Sequence, residues 1–125
     1  MLYNAYLSNQ IQPQLLERIV SLSTEIDQRF STFRGTLDGE KVTDNEIKAI
    51  LKEQTNRAIR KQAWEASKQV GQAVSADLIQ LVKLRNEAAR ALGFDNYHTL
   101  SLTTGEQDVN EIDRLLTDLY ELTNE

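Results

Sequence analysis

Apolar residues recur along most of this chain at three- and four-residue steps, the period of an amphipathic α-helix. The first clear stripe follows Pro13, which suits a first helical turn because that N–H is unpaired there anyway. Leu15, Leu16, Ile19, Val20, Leu22, Ile26, Phe30 and Phe33 carry it to a stop near Arg34 and Gly35. A short helix over Leu2 to Asn9 is expected before it. Gly35 to Glu40 reads as a loop, with Gly35 and Gly39 at turn positions that tolerate positive φ. Thr43-Asp44-Asn45-Glu46 then forms a capping-box pattern, in which the Thr43 hydroxyl accepts from the Glu46 N–H. The short helix it opens carries Ile47, Ile50 and Leu51.

Thr55 or Asn56 caps the next helix, which the pattern extends over roughly 57–92. Its stripe is Ile59, Ala63, Ala66, Val70, Val74, Leu78, Leu81, Ala88 and Leu92. Gly71 lies inside it and costs about 1 kcal/mol relative to alanine. There either the helix kinks or two helices meet, and a continuous helix is favoured. Gly93 sits where a left-handed C-cap belongs, with Phe94 placed for the accompanying apolar contact. Asp95 can cap a short helix through Leu102. Asp108-Val109-Asn110-Glu111 resembles a second capping box, opening a last helix with Val109, Ile112, Leu115, Leu116, Leu119 and Leu122. No Gly, Pro or basic residue stops that helix before Glu125, and an acid there opposes the helix dipole. The chain is therefore expected to continue past this point. The expected fold class is all-α: an antiparallel bundle of about four to six helices, forming one segment over 1–125.

Composition supports helices. One proline and five glycines are too few turn formers for a many-stranded β fold. The formal net charge of −5 gives no general attraction to nucleic acid or anionic lipid, so neither is an expected partner. No stretch approaches the roughly 20 apolar residues of a membrane span. The opening Met1-Leu2-Tyr3-Asn4-Ala5-Tyr6 lacks the basic start and apolar run of a signal peptide, which points to the cytoplasm. An introduced Met1 that replaced a targeting segment would leave the same sequence.

Candidate chemistry is sparse. The chain has no cysteine, which excludes a disulfide framework, a thiolate-held zinc and a thiol nucleophile. Its single histidine, His98, cannot by itself build a His-Glu-x-x-His zinc site. Neither a phosphate-binding Gly-x-x-x-x-Gly-Lys-Ser/Thr loop nor a Gly-x-Gly-x-x-Gly fingerprint occurs. Asp95 and His98 have i,i+3 spacing, but two ligands are not a site and Asp95 is accounted for as a cap. The loop at Asp38-Gly39-Glu40-Lys41 fails as a calcium loop: with Gly39 in sixth place, Arg34 falls first and Asn45 twelfth. Arg57, Arg60, Lys61 and Lys68 share their helix with Glu65 and Asp77 and read as a solvated face. Trp64 beside that face is a candidate packing anchor between helices. Arg85 falls on or beside the apolar stripe. It either buries its stem and sends its head to water, or pairs with a carboxylate from another helix. No catalytic, cofactor-binding or metal-ligating residue is assigned.

A family resemblance enters between Ala63 and Leu102. Ala63-Trp64-Glu65-Ala66, Val70-Gly71, Leu81-Val82-Lys83-Leu84-Arg85-Asn86-Glu87-Ala88-Ala89-Arg90 and Leu92-Gly93-Phe94-Asp95-Asn96-Tyr97 follow in order. Together they resemble the N-terminal helical region of zinc metallopeptidases of the angiotensin-converting-enzyme and thimet oligopeptidase type. Leu37-Asp38-Gly39 and Asp44-Asn45-Glu46-Ile47 are similar to bacterial members. The resemblance implies a largely helical enzyme whose two halves enclose a channel for short peptides. It also implies a zinc held by two histidines of His-Glu-x-x-His and a downstream glutamate. None of those residues has a counterpart here, so zinc is expected in a full-length parent and not in this segment. The remainder of the peptidase chain is then the expected partner, and self-association is open to the isolated piece. The competing reading is a free-standing helical interaction module without enzymatic activity.

Overall fold

A computed structural model describes residues 6–124. Within them the predicted Leu2 to Asn9 helix is represented by helical residues 6–7 and a 3-10 turn over Ser8–Gln10; residues 1–5 lie outside the description. Five α-helices and one small hairpin follow: α1 Pro13–Thr32, β1 Gly35–Leu37, β2 Glu40–Val42, α2 Asp44–Glu53, α3 Arg57–Ala91, α4 Tyr97–Thr104 and α5 Val109–Thr123. The all-α expectation holds, with the hairpin as the addition. No helix among the described residues is long and apolar enough to cross a membrane.

The hairpin replaces the loop expected over Gly35 to Glu40. β1 and β2 pair antiparallel with Gly35 opposite Val42, Thr36 opposite Lys41 and Leu37 opposite Glu40. Asp38 and Gly39 make the two-residue connection, both with positive φ (51° and 86°). An Asp-Gly pair is among the commonest ways to close a two-residue hairpin, because its twist matches that of the strands. Gly39 is thus a turn glycine as expected. Gly35 is not: it lies in β1, is buried, and has no positive φ.

Two compact units organise the chain, one comprising Met1–Val20 with Val82–Glu125 and the other Ser21–Leu81. In the Ser21–Leu81 unit the core is Ile47, Ala63 and Ala66, with Leu37, Val42, Ile50 and Leu51 packed against it. The Thr43 capping box is complete: Thr43 Oγ1 accepts from the Glu46 N–H, and the Thr43 N–H donates back to Glu46 Oε2 at 2.6 Å. Arg29 of α1 pairs with Asp77 of α3 and also donates to the Ala73 carbonyl. In the other unit Leu7, Ala89 and Leu100 are buried together, with Leu92, Phe94 and Tyr97 against them.

α3 runs unbroken through Gly71, which has open space around it, and spans about 50 Å at the standard helical rise. Asn56 supplies its cap, accepting from the Ala58 N–H at 2.9 Å. Positions 63, 66, 70, 74, 77, 81, 84 and 88 form its buried or half-buried line. Steps of three and four keep that line on one face for about seven turns.

The capping box predicts an acid-dependent stability. Hydrogen bonds from the Thr43 backbone, then its hydroxyl, with a smaller contribution from the Arg34 charge, hold the Glu46 carboxyl below its ordinary value of 4.5. A depressed folded pKa adds stability that is fully present above the unfolded value and is lost as pH falls through the folded one. Glu46→Gln is therefore expected to flatten the acid limb of a thermal-stability profile below pH 4.5. Thr43→Ala should lower stability by about 1 kcal/mol at neutral pH as well, since it removes the cap itself.

Candidate functional site

The corner between α3 and α4 brings several polar side chains together within one unit. α3 ends in a Schellman arrangement: the Phe94 N–H donates to the Ala89 carbonyl and the Gly93 N–H to that of Arg90, both at 3.0 Å. Gly93 has φ of 85°, a left-handed conformation that other residues adopt only with strain. Phe94 packs on the Ala89 cluster, which fixes where the chain leaves the helix. Asn96, extended at φ −158° and ψ 170°, then caps α4 by accepting from the Thr99 N–H at 2.9 Å. The cap is one residue later than the sequence suggested. Asp95 is exposed and free of that role.

Asn86 ties the two helices together. Its Oδ1 accepts from the Tyr97 N–H at 2.9 Å, satisfying one of the donors that a helix start leaves open. This bond holds the Tyr97 ring beside α3, with the Arg85 guanidinium 5.3 Å from the ring centroid. Such a cation–π contact is worth about 0.5–2 kcal/mol depending on solvation. Of the two predicted arrangements Arg85 does not form the carboxylate pair; it is half-buried and lines an open hollow. No carboxylate pairs with it among the described residues. Its Nε is shut off from solvent without a hydrogen-bond partner. A buried donor left in this state costs about 1–3 kcal/mol.

Arg85, Asn86, Asn96, Tyr97, His98 and Ser101 line an open hollow of about 490 Å³. The acceptor oxygens of Asn86 and Asn96 are engaged by backbone N–H groups. His98 and Ser101 are both exposed on α4, and no hydrogen bond joins them as a nucleophile–base pair would require. No cluster of three or more His, Cys, Asp or Glu side chains able to hold a metal occurs among the described residues. The residues of this chain do not fit the zinc site that its resemblance implies.

The other singled-out positions lie elsewhere. Arg57, Arg60, Lys61 and Lys68 are all exposed, with Lys61 3.6 Å from Glu65. Trp64 is 54% exposed and carries Lys68 over its ring, so it is not an anchor between helices. The reason is its phase: the buried line runs through Ala63 and Ala66, and one residue along an α-helix turns 100° away from it. Asn86 and Tyr97 were not singled out from the sequence. An amide one position from an arginine, facing the start of the next helix, was the available signal.

Residues 50–124, more than half of the chain, match the family model for peptidase family M3. No curated protein and no solved structure matches the chain.

Proposed function

Since the chain belongs to peptidase family M3, we propose that it is a catalytically silent helical region of a zinc-dependent peptidase. In this reading its helices form part of the wall or lid of a channel that admits short peptides. The zinc and the water-activating glutamate lie in another part of the parent polypeptide. A cytoplasmic location belongs to the same reading.

One observation carries it: a chain of this family contains a single histidine, His98, which is exposed on α4 and far short of a ligand set. Hydrolytic zinc needs three protein ligands and an open position, so the chemistry must be supplied from outside these residues. The exposed apolar face of α5 also supports the reading, because a helix that once met further structure leaves such a face when that structure is absent.

The test is direct. This chain alone, incubated with zinc, is expected to bind no stoichiometric metal and to leave an internally quenched peptide uncut. The longer polypeptide encoded by the parent gene is expected to contain His-Glu-x-x-His, to bind one zinc and to cleave the same peptide. Metal-dependent cleavage by the 125-residue chain would overturn the assignment, as would a parent gene with no zinc motif.

A further inference from the structure

We propose that the hollow between Arg85 and the start of α4 is a carboxylate-binding site. Three features of the hollow point there together. Arg85 lines the hollow with a guanidinium that no carboxylate reaches among the described residues; its Nε is shut off from solvent, so a ligand in the hollow meets the terminal nitrogens. The Tyr97 ring lies against the guanidinium and is itself fixed by the Asn86 bond, so the cation is oriented before any ligand arrives. No acidic side chain lines the space, and the Asn96 amide, His98 and Ser101 are each able to donate a hydrogen bond.

The chemistry selects the kind of anion. A guanidinium stacked on an aromatic ring offers one planar edge, which matches the two oxygens of a carboxylate in parallel hydrogen bonds. A phosphate dianion needs more positive charge than a lone guanidinium supplies, and Arg85 is the one Lys or Arg lining the hollow. Two sources can deliver a carboxylate here: the C-terminus of a short peptide, or an Asp or Glu side chain from another part of the parent peptidase. The site itself is built wholly from residues of this chain and does not depend on the peptidase reading; only the choice between the two sources does.

The Arg85 Nε–Hε resonance of the labelled 125-residue chain reads the site directly. At pH 7 and constant ionic strength, an N-acetylated dipeptide with a free C-terminus is expected to shift that resonance saturably, in the millimolar range. The same dipeptide as its C-terminal amide, and chloride, are expected not to. Inorganic phosphate should bind no more tightly than acetate. Arg85→Lys, read through the His98 and Ser101 amides, should weaken the free acid about tenfold, because an ammonium keeps the charge and loses the planar edge. Equal shifts from acid and amide, or no saturable shift, would overturn the proposal even if the lysine variant did not fold.

In the parent peptidase the sources separate. If a side chain fills the site, the Nε–Hε signal already lies at its bound position and acetate leaves it unmoved. If a peptide terminus fills it, Arg85→Lys raises KM about tenfold for free-acid peptides and spares their amides. Either result supports the site. A parent in which the signal stays at its free position, unmoved by acetate, and the variant treats acids and amides alike would refute it.

Discussion

Gly35→Ala is expected to lower the stability of this chain by about 1–3 kcal/mol, the usual cost of forcing extra atoms into a packed interior. A Cβ built on Gly35 falls 2.7 Å from the carbonyl oxygen of Ala66 and 3.2 Å from its carbon, both backbone atoms that cannot rotate aside. Retreat of β1 is blocked as well. The Thr36 N–H donates to Gln69 Oε1 at 2.8 Å, and Gln69 Nε2 donates back to the Thr36 carbonyl at 3.1 Å. Any movement that opens room for a methyl group must stretch this pair. Gly35→Val should cost more still, since a branched Cβ adds two carbons at the same point of contact. Urea titration followed through Trp64, the single tryptophan and a member of the same unit, measures the loss as a lowered midpoint. Gly71→Ala is the internal control. Nothing lies within 4 Å of its built Cβ and its backbone is ordinary helix, so alanine there should stabilise by about 0.5–1 kcal/mol. An unchanged midpoint for Gly35→Ala would mean that β1 does not pack on α3 as described.

These two glycines also mark how far the sequence could be read. Gly71 was legible because helical periodicity runs on either side of it, and a lone glycine weakens a helix without breaking it. Gly35 was misread as a turn residue because the local signal for a turn and that for a close backbone approach are the same: a glycine between two elements. Only the position of Ala66, 31 residues along the chain, distinguishes them, and no local pattern carries that information. The hairpin was missed for a related reason. Three-residue strands are too short to show alternation, although Asp38-Gly39 between two pairs of strand-compatible residues was a usable cue.

The site divides in the same way. Caps were readable to within one residue, because a side chain that accepts from an N–H two or three positions on is a local event. The shift from Asp95 to Asn96 follows from the Asn86 bond to the Tyr97 N–H, which fixes where α4 begins and is set by packing between two helices. Arg85 stood out as a charge near an apolar stripe. Its actual partner, the Tyr97 face, depends on how tightly the Gly93 corner folds back. The family match spans residues 50–124 and assigns no role to Arg85, Asn86 or Tyr97.

Replacing Leu115 and Leu119 together by Asp is expected to leave α5 helical while abolishing self-association of this chain and lowering activity of the parent peptidase. α5 is capped well, with Asp108 accepting from the Asn110 and Glu111 N–H groups at 2.9 and 3.0 Å. The returning glutamate bond of a full capping box is not formed, so the second box expected from the sequence is half realised. Its apolar residues follow helical spacing, yet none of the described helix is buried, and Leu115, Leu116, Leu119, Tyr120 and Leu122 are 49–76% exposed. Fully burying a leucine contributes about 1.5–3 kcal/mol, so a face with four of them has several kcal/mol to gain from any apolar surface that covers it. Sedimentation velocity should show wild-type chain associating as concentration rises and the double variant remaining monomeric with unchanged far-ultraviolet dichroism. If the parent polypeptide covers α5, the same two aspartates place charge against that surface, and peptide cleavage should fall. A wild-type chain that stays monomeric at high concentration, together with a fully active double variant of the parent, would mean that nothing covers this face.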